Sequence, residues 1–393
     1  MASDPPNPAL LPGGLIDLLP PEAEAEAEAV SAVMNVFALH GYQRVKPPLL
    51  EFEEGLLTGS GAATSEQTFR LMDPESRRMM GLRADMTPQV ARIASTRLAH
   101  HPRPLRLSYA GQCLRVHGTQ LAPDRQVAQA GIELIGIDNP AADAEMVLLA
   151  AEALAAVGLT RVSFDLTIPP LAPALLDEAG IAGSARTKLT RALDRKDTAA
   201  VTQHGGPVAA LLTELLLAAG PATPALQILQ AAKLGPVARA LCDRLSAMVH
   251  SIQAQSPGLR LTLDPLEFRG FHYHTGICIT VFAPGHHEEL GRGGRYVSGE
   301  QEPATGLTLF PDAVLRARPN PEPRPRVFLP LGTPARAAAD LRARGYATVS
   351  ALHPAPYSPA EARRLGCTHL YNEGIPVPLD RDSPSPAGGR GQG

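Results

Sequence analysis

Paired cysteines are missing from this chain. Cys113, Cys242, Cys278 and Cys367 are scattered along 393 residues with no CxxC spacing. That scatter argues against a disulfide framework and against a bound metal such as zinc, leaving buried reduced thiols as the ordinary reading. Long hydrophobic runs are missing as well. No stretch reaches the ~18–20 apolar residues of a membrane span, so no membrane partner is expected. The opening residues MASDPPNPALLPGG have neither the basic region nor the apolar core of a secretion signal, and the expected location is cytoplasmic. Nor is there an excess of positive charge: 36 Lys and Arg face 39 Asp and Glu, a formal net charge of −3. Nucleic-acid binding rests on a positive surface, so the balance leans against DNA or tRNA.

What is present is the composition of a globular protein. Apolar residues make up 44% and charged residues 19%, and the length allows two or three domains. AEAEAEAEAVSAVMNVFALHGY reads as a helix, with strong helix formers, acids in the first turns, and Val30, Met34, Phe37 and Ala38 at helical spacing before Gly41. YQRVKPPLLEF resumes as strand, interrupted by Pro47 and Pro48. RRMMGLRADMTPQVARIASTRLAH reads as strand, turn and helix, with Thr87 as N-cap and Pro88 in the first helical position. PLRLSYAGQCLRV and RQVAQAGIELIGI follow in hairpin order. A helix is expected over about 141–160, the strand RVSFDLTI next, and a helical insertion over about 170–255. Strands and tight glycine turns, including GRGGRY, then return. RARPNPEPRPR reads as a linker to a small α/β module at about 325–375, and residues 376–393 read as a disordered tail. The fold class expected is α+β.

GGLIDLLPPEAEA, FALHGYQRVKPPLLEF, LRADMTPQVAR, the hairpin, FRGFHYHTG and GRGGRY occur in the order found in histidyl-tRNA synthetases, and over residues 10–315 the chain resembles that family. The resemblance implies a class II synthetase-like domain over residues 1–320: an antiparallel sheet flanked by helices, and a homodimer with YQRVKPPLLEF at its interface. It also implies a pocket for histidine. Such a pocket needs acceptors for the ammonium, a cation for the carboxylate and polar partners for the imidazole. Asp85 and Thr87 of LRADMT match the ammonium-binding turn, and Gln129 and Glu133 match the amino-acid-facing residues of the return strand. Arg115 matches the arginine that contacts carboxylate or phosphate oxygens. Arg269 and Tyr273 match the histidine-specific segment, where His272 and His274 replace an Asp and a Tyr. Singly these residues have simpler readings. Arg115 and Glu133 on neighbouring strands could pair only to satisfy each other, and Gly291, Gly293 and Gly294 could mark a turn or a close backbone approach.

On the nucleotide side the family pattern fails. Adenylation needs the triphosphate charge countered by fixed cations. His117 stands where the adenine-binding acid belongs, two residues after Arg115, and the hairpin loop GTQLAPD lacks the family's basic residues. In TGLTLFPDAV, Phe310 replaces the last glycine of the third motif and Ala313 its arginine. Arg316 starts from a different turn and points elsewhere.

Loss of the nucleotide half with retention of the histidine half resembles the regulatory subunits of ATP phosphoribosyltransferase, the first enzyme of histidine biosynthesis. That resemblance implies a subunit with no catalytic residues and no cofactor. It implies assembly with a short-form catalytic subunit in a hetero-oligomer, with histidine as effector. Two other readings stay open: a divergent active histidyl-tRNA synthetase, and a free-standing histidine sensor. The C-terminal module has no aromatic and basic surface suited to RNA. Its arginines, including Arg336, Arg342, Arg344, Arg363 and Arg364, read as solvated helix faces.

Overall fold

The computed structural model describes residues 9–118, 122–267, 274–299, 301–318, 324–353 and 359–379. The chain divides into two compact units, Met1–Pro319 and Asn320–Gly393.

The larger unit is α+β. Its main sheet runs in the order Gln43–Arg44, Leu105–Leu114, Gln126–Ile135, Glu302–Leu309, Gly291–Ser298, Cys278–Phe282, Ser163–Thr167, Arg260–Asp264 and Gly220–Pro221. From Leu105–Leu114 to Ser163–Thr167 every neighbouring pair is antiparallel, while Gln43–Arg44 pairs in parallel with Leu105–Leu114, and Arg260–Asp264 in parallel with Ser163–Thr167 and antiparallel with Gly220–Pro221. Strand alternation gives this sheet two working faces. From the return strand of the hairpin, Ala130, Ile132 and Leu134 enter the large core together with Val33 and Phe37 of the helix Glu22–Leu39 and Met146 and Leu154 of the helix Pro140–Ala156. The opposite face packs Tyr109, Ile135 and Tyr296 against Met86, Val90 and Ala94 at and along the helix Thr87–Ser95.

Several local expectations need correction. In Glu22–Leu39 the buried stripe is Ala29, Val33, Met34, Val36 and Phe37, whereas Ala38 is exposed. The glycines of GRGGRY lie within the strand Gly291–Ser298 and not in a turn. A Cβ at Gly293 would stand 2.1 Å from the Gly306 carbonyl oxygen, so close approach of two strands is the reason. YQRVKPPLLEF contributes to two sheets: Leu50–Phe52 pairs with Met79–Leu82 in a separate three-stranded sheet. Residues 171–255 are mostly helical, but Gly220–Pro221 adds an edge strand to the main sheet.

In the smaller unit, Ala347–Ser350, Arg326–Leu329 and His369–Asn372 lie parallel in that order, and Ile375–Pro378 pairs antiparallel to the last. The alternation in Arg326–Leu329 serves two small cores. Val327 and Leu329 meet Ala338 and Leu341, and Phe328 meets Ala362 and Leu370. The final strand carries the module past the boundary drawn at 375 in the sequence, and residues 380–393 of the tail lie outside the described residues. Arg336, Arg342, Arg344, Arg363 and Arg364 are exposed. Among the described residues, no helix is long and apolar enough to cross a membrane.

One ionic cluster ties the sheet to its helices. Arg295 of the glycine strand and Asp143 of Pro140–Ala156 are 5% and 1% exposed and meet at 2.8 Å. Arg295 also donates to the Ile137 carbonyl at 3.0 Å, and Arg244 from the helix Pro236–Gln255 reaches Asp143 at 3.1 Å and Asp138 at 2.6 Å. Removing one partner of a buried pair leaves an uncompensated charge. Asp143→Ala is therefore expected to cost about 3–5 kcal/mol, read as a lowered urea midpoint with unchanged slope.

Candidate functional site

The hairpin presents Gln129 and Glu133 on the face turned toward the helix Thr87–Ser95, because they alternate with the core-facing Ala130 and Ile132. Glu133 is 1% exposed. Its Oε1 accepts from the Thr87 hydroxyl at 3.0 Å and the Tyr109 phenol at 3.1 Å, and its Oε2 accepts from the Tyr296 phenol at 2.9 Å. Thr308 extends the network, 2.7 Å from the Tyr109 oxygen. Two glycines make room for it. A Cβ at Gly306 would stand 1.8 Å from Glu133 Oε2, and one at Gly131 would stand 2.5 Å from the Tyr109 oxygen.

The same residues hold the start of the helix. Gln129 Oε1 accepts from the Met86 amide at 3.0 Å and from the Cys113 thiol at 3.3 Å. Asp85 Oδ1 accepts from the Thr87 amide at 3.2 Å. Thr87 is thus the first helical residue, not the N-cap expected from its position before Pro88. Its hydroxyl goes to Glu133, and Asp85 supplies the acceptor instead.

Electrostatically the centre is an acid without a cation. Glu133 makes no ion pair among the described residues. Burial pushes its carboxyl up to about 8, the hydroxyls of Tyr296, Thr87 and Tyr109 pull it back, and nearby Asp85 adds a further push upward. Burial, then Glu133 and Asp85, hold the Tyr109 phenol well above its ordinary range. Burial likewise pushes the Cys113 thiol up to about 12, so it is no thiolate nucleophile.

The structure brings together Asp85, Thr87, Gln129 and Glu133 and sets Arg115 beside them. Arg115 is half-buried, with Nε 3.5 Å from the Ala84 carbonyl. It does not pair with Glu133, so the cross-strand ion pair considered from the sequence is not made. Arg125, the hairpin's second arginine, is held by the carbonyls of Arg115 at 3.2 Å and Gly13 at 3.1 Å, with its guanidinium 5.0 Å from the Phe69 ring. Arg269 and Tyr273, and with them His272, lie outside the described residues. His274 is within them, and burial together with Arg292 pushes its imidazole down to about 3, leaving it neutral.

The residues that the resemblance sets against a nucleotide are engaged within the fold. Phe310 immediately precedes the helix Pro311–Ala317, and Ala313 of that helix is 3% exposed within the large core. Asp312 accepts from the Ala128 amide at 2.8 Å, and burial pushes its carboxyl upward. Arg316 is engaged by Glu288 at 2.9 Å and Asp124 at 3.3 Å. His117 is exposed, its backbone amide bonded to Gln67 at 3.2 Å.

Tyr109, Tyr296, Thr308 and Gly306 escaped the sequence reading. Tyr109 was detectable as the residue facing Gly131 across the hairpin, once the register Tyr109 to Gly131 is drawn. Tyr296 and Thr308 come from distant strands and carry no local signal.

The raised carboxyl of Glu133 makes stability depend on pH. Between the unfolded value of 4.5 and the folded value of about 8, the native state holds one more proton than the unfolded chain. Its stabilising effect is complete below the lower value and is lost as pH rises through the upper one, with a slope of up to about 1.4 kcal/mol per pH unit. Urea titrations from pH 5 to about 8.5 should show that decline in the native chain and a flatter profile in Glu133→Gln.

The family model described as histidyl-tRNA synthetase matches residues 14–314. The ATP phosphoribosyltransferase regulatory subunit of Paramagnetospirillum magneticum is 57% identical over 94% of this chain and 98% of its own. That of Rhodospirillum centenum is 56% identical over 95% and 98%. Among solved structures, an ATP phosphoribosyltransferase regulatory subunit/histidyl-tRNA synthetase from Bacillus halodurans superposes with a TM-score of 0.78 at 22% identity, covering 94% of this chain and 99% of its own. A histidyl-tRNA synthetase from Nostoc gives 0.76 at 16% identity, over 92% and 90%. These two likenesses carry the fold, a class II synthetase-like sheet flanked by helices. From the sequence relatives, the chain belongs to the family of ATP phosphoribosyltransferase regulatory subunits, built on the histidyl-tRNA synthetase domain.

Proposed function

We propose that the chain performs no chemistry of its own and acts by assembly with a short-form ATP phosphoribosyltransferase catalytic subunit, serving the first step of histidine biosynthesis. It forms a homodimer within that hetero-oligomer, and free histidine is its effector. The observation that carries this reading is the contrast between the two halves of the pocket. Asp85, Thr87, Gln129 and Glu133 stand together as an acidic, hydroxyl-rich centre. On the nucleotide side Ala313 is core, Asp312 is an acid, and Arg316 is engaged by two carboxylates. A site with that balance attracts an ammonium group and offers a triphosphate little countercharge. Removing a fixed phosphate cation costs several kcal/mol of transition-state stabilisation, or orders of magnitude in rate.

Within this reading Asp85, half-buried at the start of the helix, receives the ammonium, and Arg115 takes the carboxylate. Recognition of the imidazole is assigned to Arg269 and Tyr273 by the family resemblance of their segment alone. Histidine regulation then requires a coupling free energy between this pocket and the partner's active site.

The deciding experiment pairs two assays. Histidine-dependent exchange of pyrophosphate with ATP should be absent, and the chain should co-purify with a short-form phosphoribosyltransferase whose activity depends on it. Detectable exchange would restore the synthetase reading, and histidine binding with no such partner would favour the free-standing sensor. In calorimetry, Asp85→Ala should weaken histidine binding by about tenfold or more, the loss of one charge-assisted hydrogen bond.

A further inference from the structure

A second charged site lies in the helical segment, far in sequence from the residues around Glu133. On the helix Gly183–Asp194, Ser184, Lys188 and Arg191, with Arg195 just past its end, recur at intervals of four, three and four residues. That spacing places them on one face, and all four are exposed while Leu189 and Leu193 are buried on the other side. The face forms one wall of a groove of about 400 Å³, with His204 from the end of the helix Thr198–His204 also lining it.

The charges here are unbalanced in a way their neighbours are not. On the same segment Arg186 is paired with Asp177, and Lys196 reaches Asp264 at 2.7 Å. Lys188, Arg191 and Arg195 pair with no carboxylate among the described residues. Asp197 is the one acid lining the groove, and its Oδ1 is occupied by the Ala200 amide at 2.9 Å. Three like charges beside one concavity repel one another and focus a positive potential into it, an arrangement relieved by a bound anion. The Ser184 hydroxyl on the same rim adds a donor suited to phosphate oxygens.

We propose that this groove binds a small ligand carrying more than one phosphate charge. Its volume is that of a small-molecule cleft, and the chain's net charge of −3 does not suit a long polyanion. The assignment stands apart from the histidine pocket and does not rest on the regulatory reading.

Calorimetric titration of the full chain with inorganic pyrophosphate at ~150 mM salt, where the Debye length is about 8 Å, tests it. Saturable binding to one site is expected, weakened at least about tenfold in K188E/R191E/R195E. The same charge change in the smaller unit, R336E/R342E/R344E, should leave affinity within about twofold. Unfolding midpoints check that each variant is folded. Should the reversal unfold the chain, R191Q alone is expected to weaken binding by about threefold or more, and an unchanged affinity would overturn the site. Absence of binding by the native chain, or equal losses in the two triple variants, also overturns it. So does tighter binding of a short single-stranded RNA than of pyrophosphate, which would make the face an RNA surface.

Discussion

The buried carboxyl of Glu133 organises the centre of this protein. It is wrapped by hydroxyls from three separate elements: Thr87 from a helix start, Tyr109 from the hairpin's outgoing strand, and Tyr296 from the glycine strand. An acid placed in the middle of a sheet is costly unless its oxygens are satisfied. The surrounding structure meets that demand at every side: Gly306 and Gly131 leave space, Thr308 supports Tyr109, and Gln129 fixes the helix that carries Thr87. Hydroxyls satisfy the acid without neutralising it. Burial pushes the carboxyl up to about 8, and the hydroxyls pull it only part of the way back.

The polar groups around Glu133 and those around Ala313 and Arg316 are engaged in different ways. Around Glu133 the polar groups bond one another and so support the fold whether or not a ligand arrives. Ala313 is packed into the core, and Arg316 is turned to Glu288 and Asp124. The buried Arg295–Asp143 pair lies one residue along the strand from Tyr296, so the acid network and the ionic cluster share a single strand.

Much of the fold was legible in the residues. The long helix was marked by its alanines and acids, the hairpin by two apolar strands around a polar loop, and the small module by its alternation of strand and helix. Legibility ended where a residue answers to a distant one. Thr87 looked like an N-cap because Pro88 follows it, but the Glu133 carboxylate claims its hydroxyl, 46 residues away in sequence. The glycines of GRGGRY left a turn and a close backbone approach both open, and the strand pairing decides for the second. Ala38 follows the helical spacing of Val30, Met34 and Phe37, yet lies exposed.

The sequence by itself determined the family and the order of most elements. Those properties are local or are carried by motif order, and neither depends on three-dimensional contact. Tertiary structure alone decided that Glu133 is a buried acid with hydroxyl partners, that Arg115 stays apart from it, and that Arg316 is engaged elsewhere. Each depends on the register of strands brought together from across the chain. Burial and pairing, which set whether a carboxyl is charged and whether an arginine is free, exist only once that register is made.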